Sequence, residues 1–177
     1  MKIGLAQLKT GENAFQFSSQ ADPWLKELTT RLADRGVQIP GNVEVWLQLT
    51  KLEPDYYLKG RMQFESEQLC ARCAEIFPLP ITHSFELGMA HVSTPSASEK
   101  LAEESEELDI QYFEGPELDF DPILEEQILL SLPYKAVCRA DCKGICQSCG
   151  ANLNESTCGC PKSNTVHAFA ALSQLKH

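Results

Sequence analysis

The sequence predicts an α+β protein: an antiparallel, barrel-like sheet with two or three flanking helices and a cysteine-rich C-terminal segment. Three observations predict this. Consecutive stretches alternate apolar and polar residues across short connections, two Asp-Pro steps open helically spaced apolar patterns, and six of the eight cysteines fall within residues 138–160. Short links between strands favour antiparallel neighbours. A capping Asp followed by Pro favours a helix start, because the first helical N–H needs no partner. We divide the chain into an antiparallel β-rich α+β domain, residues 1–133, with an acidic loop at 93–107. Residues 134–177 form a cysteine-rich metal-binding segment with a closing helix packed on it.

Taken in order, Ile3 and Leu5 alternate within Lys2–Leu8 and predict a first strand. Asp22-Pro23 opens a helix over 23–35. Trp24, Leu25, Leu28 and Leu32 share one face there, and Gly36 closes it. Val43, Val45, Leu47 and Leu49 alternate with polar neighbours and predict a strand. Leu58, Met62 and Phe64 predict the next, with Gly60 interrupting the apolar face as a bulge. A third runs through Phe77, Leu79, Ile81, His83, Phe85, Leu87 and Met89. His83 lies on that apolar face and reads as a satisfied core histidine. Leu108, Ile110 and Tyr112 predict a short strand, and 117–120 another. Asp121-Pro122 then opens a helix carrying Ile123, Leu124, Ile128 and Leu132, which Pro133 ends. Val166, Phe169, Leu172 and Leu175 fit a short closing helix.

The 177 residues carry 15 basic and 25 acidic side chains, a formal charge of -10. Residues 99–126 hold 12 acids and one base, Lys100, so the remainder is close to neutral. Bulk charge argues against non-specific nucleic-acid binding, which needs a positive footprint. A local basic face is compatible with it, since residues 134–177 carry five bases against Asp141 and Glu155. No apolar run approaches the roughly 20 residues that span a bilayer, and Met1–Leu5 has no long apolar signal region. The expectation is a cytoplasmic protein without membrane partners, in a compartment where thiols stay reduced.

In such a compartment, clustered cysteines point to metal rather than disulfides. Eight thiols fill two closed four-thiolate sites with none left over, the pattern of structural Zn²⁺. We expect one or two zinc ions. Cys146-Gln147-Ser148-Cys149-Gly150 is a zinc-knuckle pattern, with Gly able to take the positive φ that turns backbone amides toward sulfur. Cys158 and Cys160 complete that set. Cys138 and Cys142 then pair with the distant Cys70 and Cys73, which occupy a strand-to-strand turn. Cys142 could also join the first group, because only three residues separate it from Cys146. Two other readings stand: one occupied site with spare thiols, or a redox dithiol. A redox CxxC usually opens a helix, whereas Cys70-Cys73 sits between strands. Iron–sulfur ligation is a minor variant of the same thiolate chemistry. No HExxH, phosphate-binding glycine loop or GxSxG occurs, and the reading is that the chain is not an enzyme.

These motifs together are familiar. Cys70-Ala71-Arg72-Cys73, then ELDFDPILEEQILLSLP at 117–133, CRADCKGICQSCGANLN at 138–154 and CGC at 158–160 closely resemble the YceD-like family, the large ribosomal RNA subunit accumulation proteins. The resemblance runs from about Val43 to Cys160, and the tail HAFAALSQLK at 167–176 shares it. The familiar form has Leu and Pro where Ile145 and Gln147 stand. The first 40 residues carry little of it. The resemblance implies a non-enzymatic role in making or stabilising 23S rRNA. It implies as partner rRNA, a large-subunit assembly intermediate or a ribosomal protein. Zinc knuckles do hold single-stranded RNA. Lys59, Arg61, Arg72, Arg139, Lys143 and Lys162 lie on the elements that a shared metal site would join, and the expectation is that they gather into one RNA-binding face. The alternative is an adaptor that binds a basic ribosomal protein through residues 99–126. A thiol oxidoreductase is the third class.

Overall fold

The computed structural model describes residues 1–52, 55–91 and 110–160. Among these, five strands form one sheet in the order β2-β3-β4-β5-β6. They are β2 (Glu12–Ser18), β3 (Glu44–Leu52), β4 (Asp55–Leu69), β5 (Ile76–His91) and β6 (Ile110–Phe113). Three pairings are antiparallel, β2–β3, β3–β4 and the long β4–β5 hairpin, and the last two are as the alternation predicts. β6 adds in parallel to the end of β5, from Gly88↔Ile110 to His91↔Phe113. A separate ribbon pairs β1 (Lys2–Gly4) with β7 (Glu117–Asp119). The predicted first strand therefore stops at Gly4, where a 3-10 turn over Leu5–Gln7 begins. The short strand β2 was not anticipated.

Strand register sorts the side chains into rows. On one face lie Phe15–Leu47–Gly60–Phe85 and Phe17–Val45–Met62–His83. Leu49–Leu58–Leu87 continues that face. Val45, Leu49, Leu58 and Met62 there have no exposed surface, and burying each contributes about 1.5–3 kcal/mol. Two helices cover this face: α1 (Pro23–Asp34), through Leu25, Leu28 and Leu32, and α2 (Phe120–Ser131), through Phe120, Ile123, Leu124 and Ile128. That cover is why the sheet stays open. The expected barrel is not formed, because the helices bury the apolar face that closure would otherwise have hidden.

The helix signals hold with one shift. α1 ends in a Schellman turn, with Gly36 N–H donating to Ala33 O, Val37 N–H donating to Leu32 O, and Gly36 at φ +88. α2 is capped by Asp119 rather than Asp121. The Asp119 carboxylate accepts Asp121 N–H at 3.2 Å, and Pro122 still falls in the first turn, where its missing N–H costs nothing. His83 is satisfied as expected, by Gln127 Oε1 at 3.1 Å on α2. Gly60 makes no bulge. Its pairing with Leu47 and Phe85 is continuous, and the Phe85 ring occupies the space a Cβ would take. The expected acidic loop at 93–107 and the closing helix at 165–175 lie outside the described residues.

β3 pairs with β4 only as far as Gln63. From Phe64↔Ile81 to Leu69↔Ile76 the β4–β5 hairpin continues alone as a two-stranded arm, about 20 Å long at the usual strand rise. Gln38 braces it, accepting from Glu67 N–H at 2.9 Å and from the buried Ser66 hydroxyl at 3.1 Å. Because the Glu67 N–H points away from β5, its register partner Pro78 faces the opposite, open edge, as does Pro80 two residues on. At the tip of the arm sit Cys70 and Cys73.

Candidate functional site

The turn at the arm's tip is a knuckle. Cys70 N–H donates to Glu75 O, and Ala74 N–H donates back to Cys70 O, both at 2.9 Å. The second CxxC repeats it: Cys146 N–H donates to Ala151 O at 2.8 Å and Gly150 N–H to Cys146 O at 2.9 Å. The residue after the second cysteine must turn left-handed in both, at φ +74 for Gly150 and φ +59 for Ala74. An L side chain there costs about 1–2 kcal/mol. Ala74→Gly is therefore expected to stabilise the chain by about 0.5–1 kcal/mol, after the greater unfolded-state freedom of glycine is allowed for. A denaturation midpoint that is unchanged or lowered would refute this.

Residues 136–145 clasp the tip. Ala71 N–H donates to Ala136 O at 2.8 Å and Ile145 N–H to Arg72 O at 3.1 Å. The Arg72 guanidinium donates to Ala140 O at 3.3 Å and to Cys142 O at 3.2 Å. Gly144, at φ +74, lets this happen, since a Cβ there would lie 3.0 Å from Arg72 O. The clasp delivers two sulfurs to the tip: Cys142 Sγ lies 3.8 Å from Cys70 Sγ, and Cys138 Sγ 3.8 Å from Cys73 Sγ. All four ligand atoms lie within 4.8 Å of one another, as do those of Cys146, Cys149, Cys158 and Cys160. Cys142 thus belongs with the tip and not with Cys146.

The donor sets fit a single metal ion each. A regular tetrahedron with metal–sulfur bonds of about 2.3 Å has edges of about 3.8 Å. A multi-iron cluster spreads its thiolates over several irons and needs wider spacing. Four sulfurs on one ion leave no open position for water or substrate, so the sets suit structural rather than catalytic metal. Protonation tells the same story. Burial opposes ionisation of Cys70, yet N–H groups of Cys138, Cys73 and Arg72 prevail and bring its thiol down to about 6. Burial and the neighbouring sulfurs push Cys138 up to about 12. In the second set the amides of Cys149 and Ser148 bring Cys146 down to about 6, while the Cys149 sulfur and burial push Cys160 up to about 12. Without a cation the sulfurs cannot all be charged together; a divalent ion removes that conflict.

The two quartets differ in shelter. Cys70, Cys73 and Cys142 are buried, whereas Cys149 is exposed and Cys158 and Cys160 half-buried. A cavity of about 450 Å³ lies against the second quartet, between Lys143, Ile145 and Leu153. Two asparagines stand between the quartets. Asn154 Nδ2 donates to Cys142 Sγ at 3.3 Å, and Asn152 Nδ2 to Glu75 Oε1 at 3.3 Å. The Asn154 amide is the foremost cause lowering the Cys142 thiol. Sequence reasoning gave these asparagines no role, although they stand within the 138–154 motif, because they bind no metal themselves.

The five expected cations among the described residues do not form one face. Arg61 lies nine residues before Cys70, about 30 Å back along β4 and within the sheet. Lys59 pairs with Glu86 at 3.2 Å and lies over the Tyr57 ring. At the tip, Arg72 is committed to carbonyls and Arg139 lies 3.5 Å from Asp141. Lys143 is exposed, and Lys162 is outside the described residues. The expected composite face separates into a sheet group and a tip group, because the arm holds them apart.

A family model described as "Large ribosomal RNA subunit accumulation protein YceD" matches residues 58–176, which takes in the arm and all eight cysteines. The chain belongs to the YceD family. Among curated relatives, the chloroplastic YCED homolog 1 of Arabidopsis thaliana is 32% identical over 63 residues, 36% of this chain and 20% of that protein. Its Zea mays counterpart is 43% identical over 61 residues, 34% of this chain and 20% of the relative. The match thus spans a fifth of the length of these YCED homologues. Both are named for large ribosomal RNA subunit accumulation. No solved structure matches the chain. Among the described residues, no helix is long and apolar enough to cross a membrane.

Proposed function

We propose that the chain is a non-catalytic, cytoplasmic factor for 23S rRNA accumulation, stabilised by two zinc ions, that holds single-stranded rRNA on the uncovered face of its sheet. The YceD family match across the arm and both quartets carries the pathway. Zinc is the ion chosen because four thiolates in tetrahedral reach suit it in a reducing compartment. The contact surface rests on a second observation. Opposite the helices, the register aligns Gln16–Trp46–Arg61–Ser84 and Ala14–Gln48–Lys59–Glu86 around an open concavity of about 910 Å³. Trp46 is half-buried beside the exposed Arg61. An aromatic ring next to a guanidinium, flanked by Gln16, Gln48 and Ser84 and by the Lys59–Glu86 ion pair, suits stacking and hydrogen bonding with unpaired bases.

Binding of 23S rRNA fragments across a salt series tests this. Trp46→Ala should weaken binding by about 1–3 kcal/mol, roughly 5- to 150-fold. Arg61→Ala should flatten the salt slope by about one phosphate. Arg139→Ala with Lys143→Ala, at the tip, should do neither. Unchanged binding in both sheet variants would remove this surface. Three of the described acids serve the fold, since Asp121 and Glu125 bind Arg31 of α1, Glu125 also binds Arg35, and Asp119 caps α2, which leaves the exposed Glu114 and Glu117 for the adaptor reading.

A further inference from the structure

We propose that Asn154 is a positioning residue that couples the two thiol quartets, so that their metal ions are bound and released together. The proposal rests on the reading that both quartets hold ions, and it concerns a side chain that ligates neither.

Asn154 lies in the loop between Cys149 and Cys158, so its position is set by closure of the second quartet. Its side chain nevertheless serves the first. The Lys143 backbone N–H donates to Asn154 Oδ1 at 2.8 Å, which fixes the orientation of the amide and leaves Nδ2 as the group facing sulfur. Nδ2 then donates to Cys142 Sγ at 3.3 Å and to Asn152 Oδ1 at 2.9 Å. Asn152 Oδ1 also accepts the Asn154 backbone N–H at 3.0 Å, and its own amide reaches Glu75, two residues past Cys73. Leu153 N–H donates to Gly144 O at 2.9 Å, tying the same loop to the residue that packs on Arg72. Four of these bonds join the loop of the second quartet to the shell of the first, and the two between Asn152 and Asn154 hold the pair of amides together.

A hydrogen bond to a ligating thiolate disperses its charge and orients it, and such outer partners govern metal affinity. Here the donor exists in place only when the second quartet is closed. An ion in the second quartet therefore orders the donor that the first quartet uses. Linkage makes the effect reciprocal: an ion in the first quartet fixes Cys142 and so favours the loop that closes the second. Couplings of this kind are typically about 5- to 150-fold.

The test uses the full chain loaded with Zn²⁺ and exposed to graded chelator, with the two-ion, one-ion and zero-ion species counted by native mass spectrometry. The native chain is expected to pass from two ions to none with little one-ion species. Asn154→Leu, which keeps the volume and removes the donor, should accumulate the one-ion form. Independent release from the native chain, or paired release retained in Asn154→Leu, would overturn the coupling. A second measurement holds if Asn154→Leu folds poorly. Cys158→Ala disables the second quartet, and the remaining ion should then be about 5- to 150-fold easier to extract from the first; native affinity there would also overturn the coupling. A native chain that never holds two ions would overturn the two-zinc reading as well, whereas two ions lost independently would overturn the coupling alone.

Discussion

Cys70→Ala is expected to lower the metal content from two ions per chain to one and to free residues 136–145 from the arm. The physical reason is that the tip has little else to hold it. Among the described residues, its buried cluster consists of Cys70, Cys73 and Cys142 with only Phe77, Val137 and Cys138 packed beside them. A core that small cannot offset the ordering of ten residues, at about 1–2 kcal/mol each. Structural zinc supplies apparent binding free energies of about 10–16 kcal/mol in small folded units at pH 7, enough to reverse the balance. Metal analysis combined with limited proteolysis would check this. Cleavage should appear within 134–160, while the β2–β6 sheet still unfolds cooperatively. The remaining ion, in the second quartet, should be more easily extracted than in the native chain. If Cys70→Ala keeps both ions and the segment stays protected, metal is not what fastens it.

Gly60→Ala should be the most damaging single-methyl change in the sheet. A Cβ at Gly60 would lie 2.1 Å from Phe85 Cζ and 2.3 Å from Cε1, far inside van der Waals contact. The ring cannot simply swing aside, since Phe85 is 7% exposed within a row that α1 and α2 cover. Overpacking of this kind costs about 1–3 kcal/mol. The expected result is a lower denaturant midpoint at unchanged slope. Phe85→Leu alone should also destabilise, yet added to Gly60→Ala it should cost less than alone, because the smaller side chain makes room. Additive losses would show that the two residues do not share one space.

Much of this architecture could be read before any coordinates. Alternation in 43–49, 58–64 and 77–89 placed the three central strands, because one face of each must be buried by period two. The Asp-Pro steps found both helices, although at α2 the true cap came two residues earlier: Asp119 also ends a strand, and its carboxylate outcompeted that of Asp121 for the role. The cysteine spacing placed the two CxxC turns, since a knuckle is a local structure. It left Cys142 undecided, because the deciding contacts, Arg72 on the carbonyls and Asn154 on the sulfur, come from about 70 and 12 residues away. The barrel expectation failed for a related reason. Periodicity shows that a face is buried but not what buries it, and here the cover is helical. The gathering of the described cations into one face failed because sequence neighbourhood says nothing of a strand long enough to hold Arg61 and Arg72 apart. Strand β2 escaped notice because its partner β3 lies beyond an intervening helix.

Pro78 and Pro80 on the open margin of the arm have a consequence for how this protein meets others. At those positions the backbone has no hydrogen to donate, so a visiting polypeptide cannot lengthen the sheet by joining it there. A projecting ribbon of this length would otherwise invite self-association into fibrils. With that route blocked, whatever the arm touches is met through its side chains or through its sulfur-rich head.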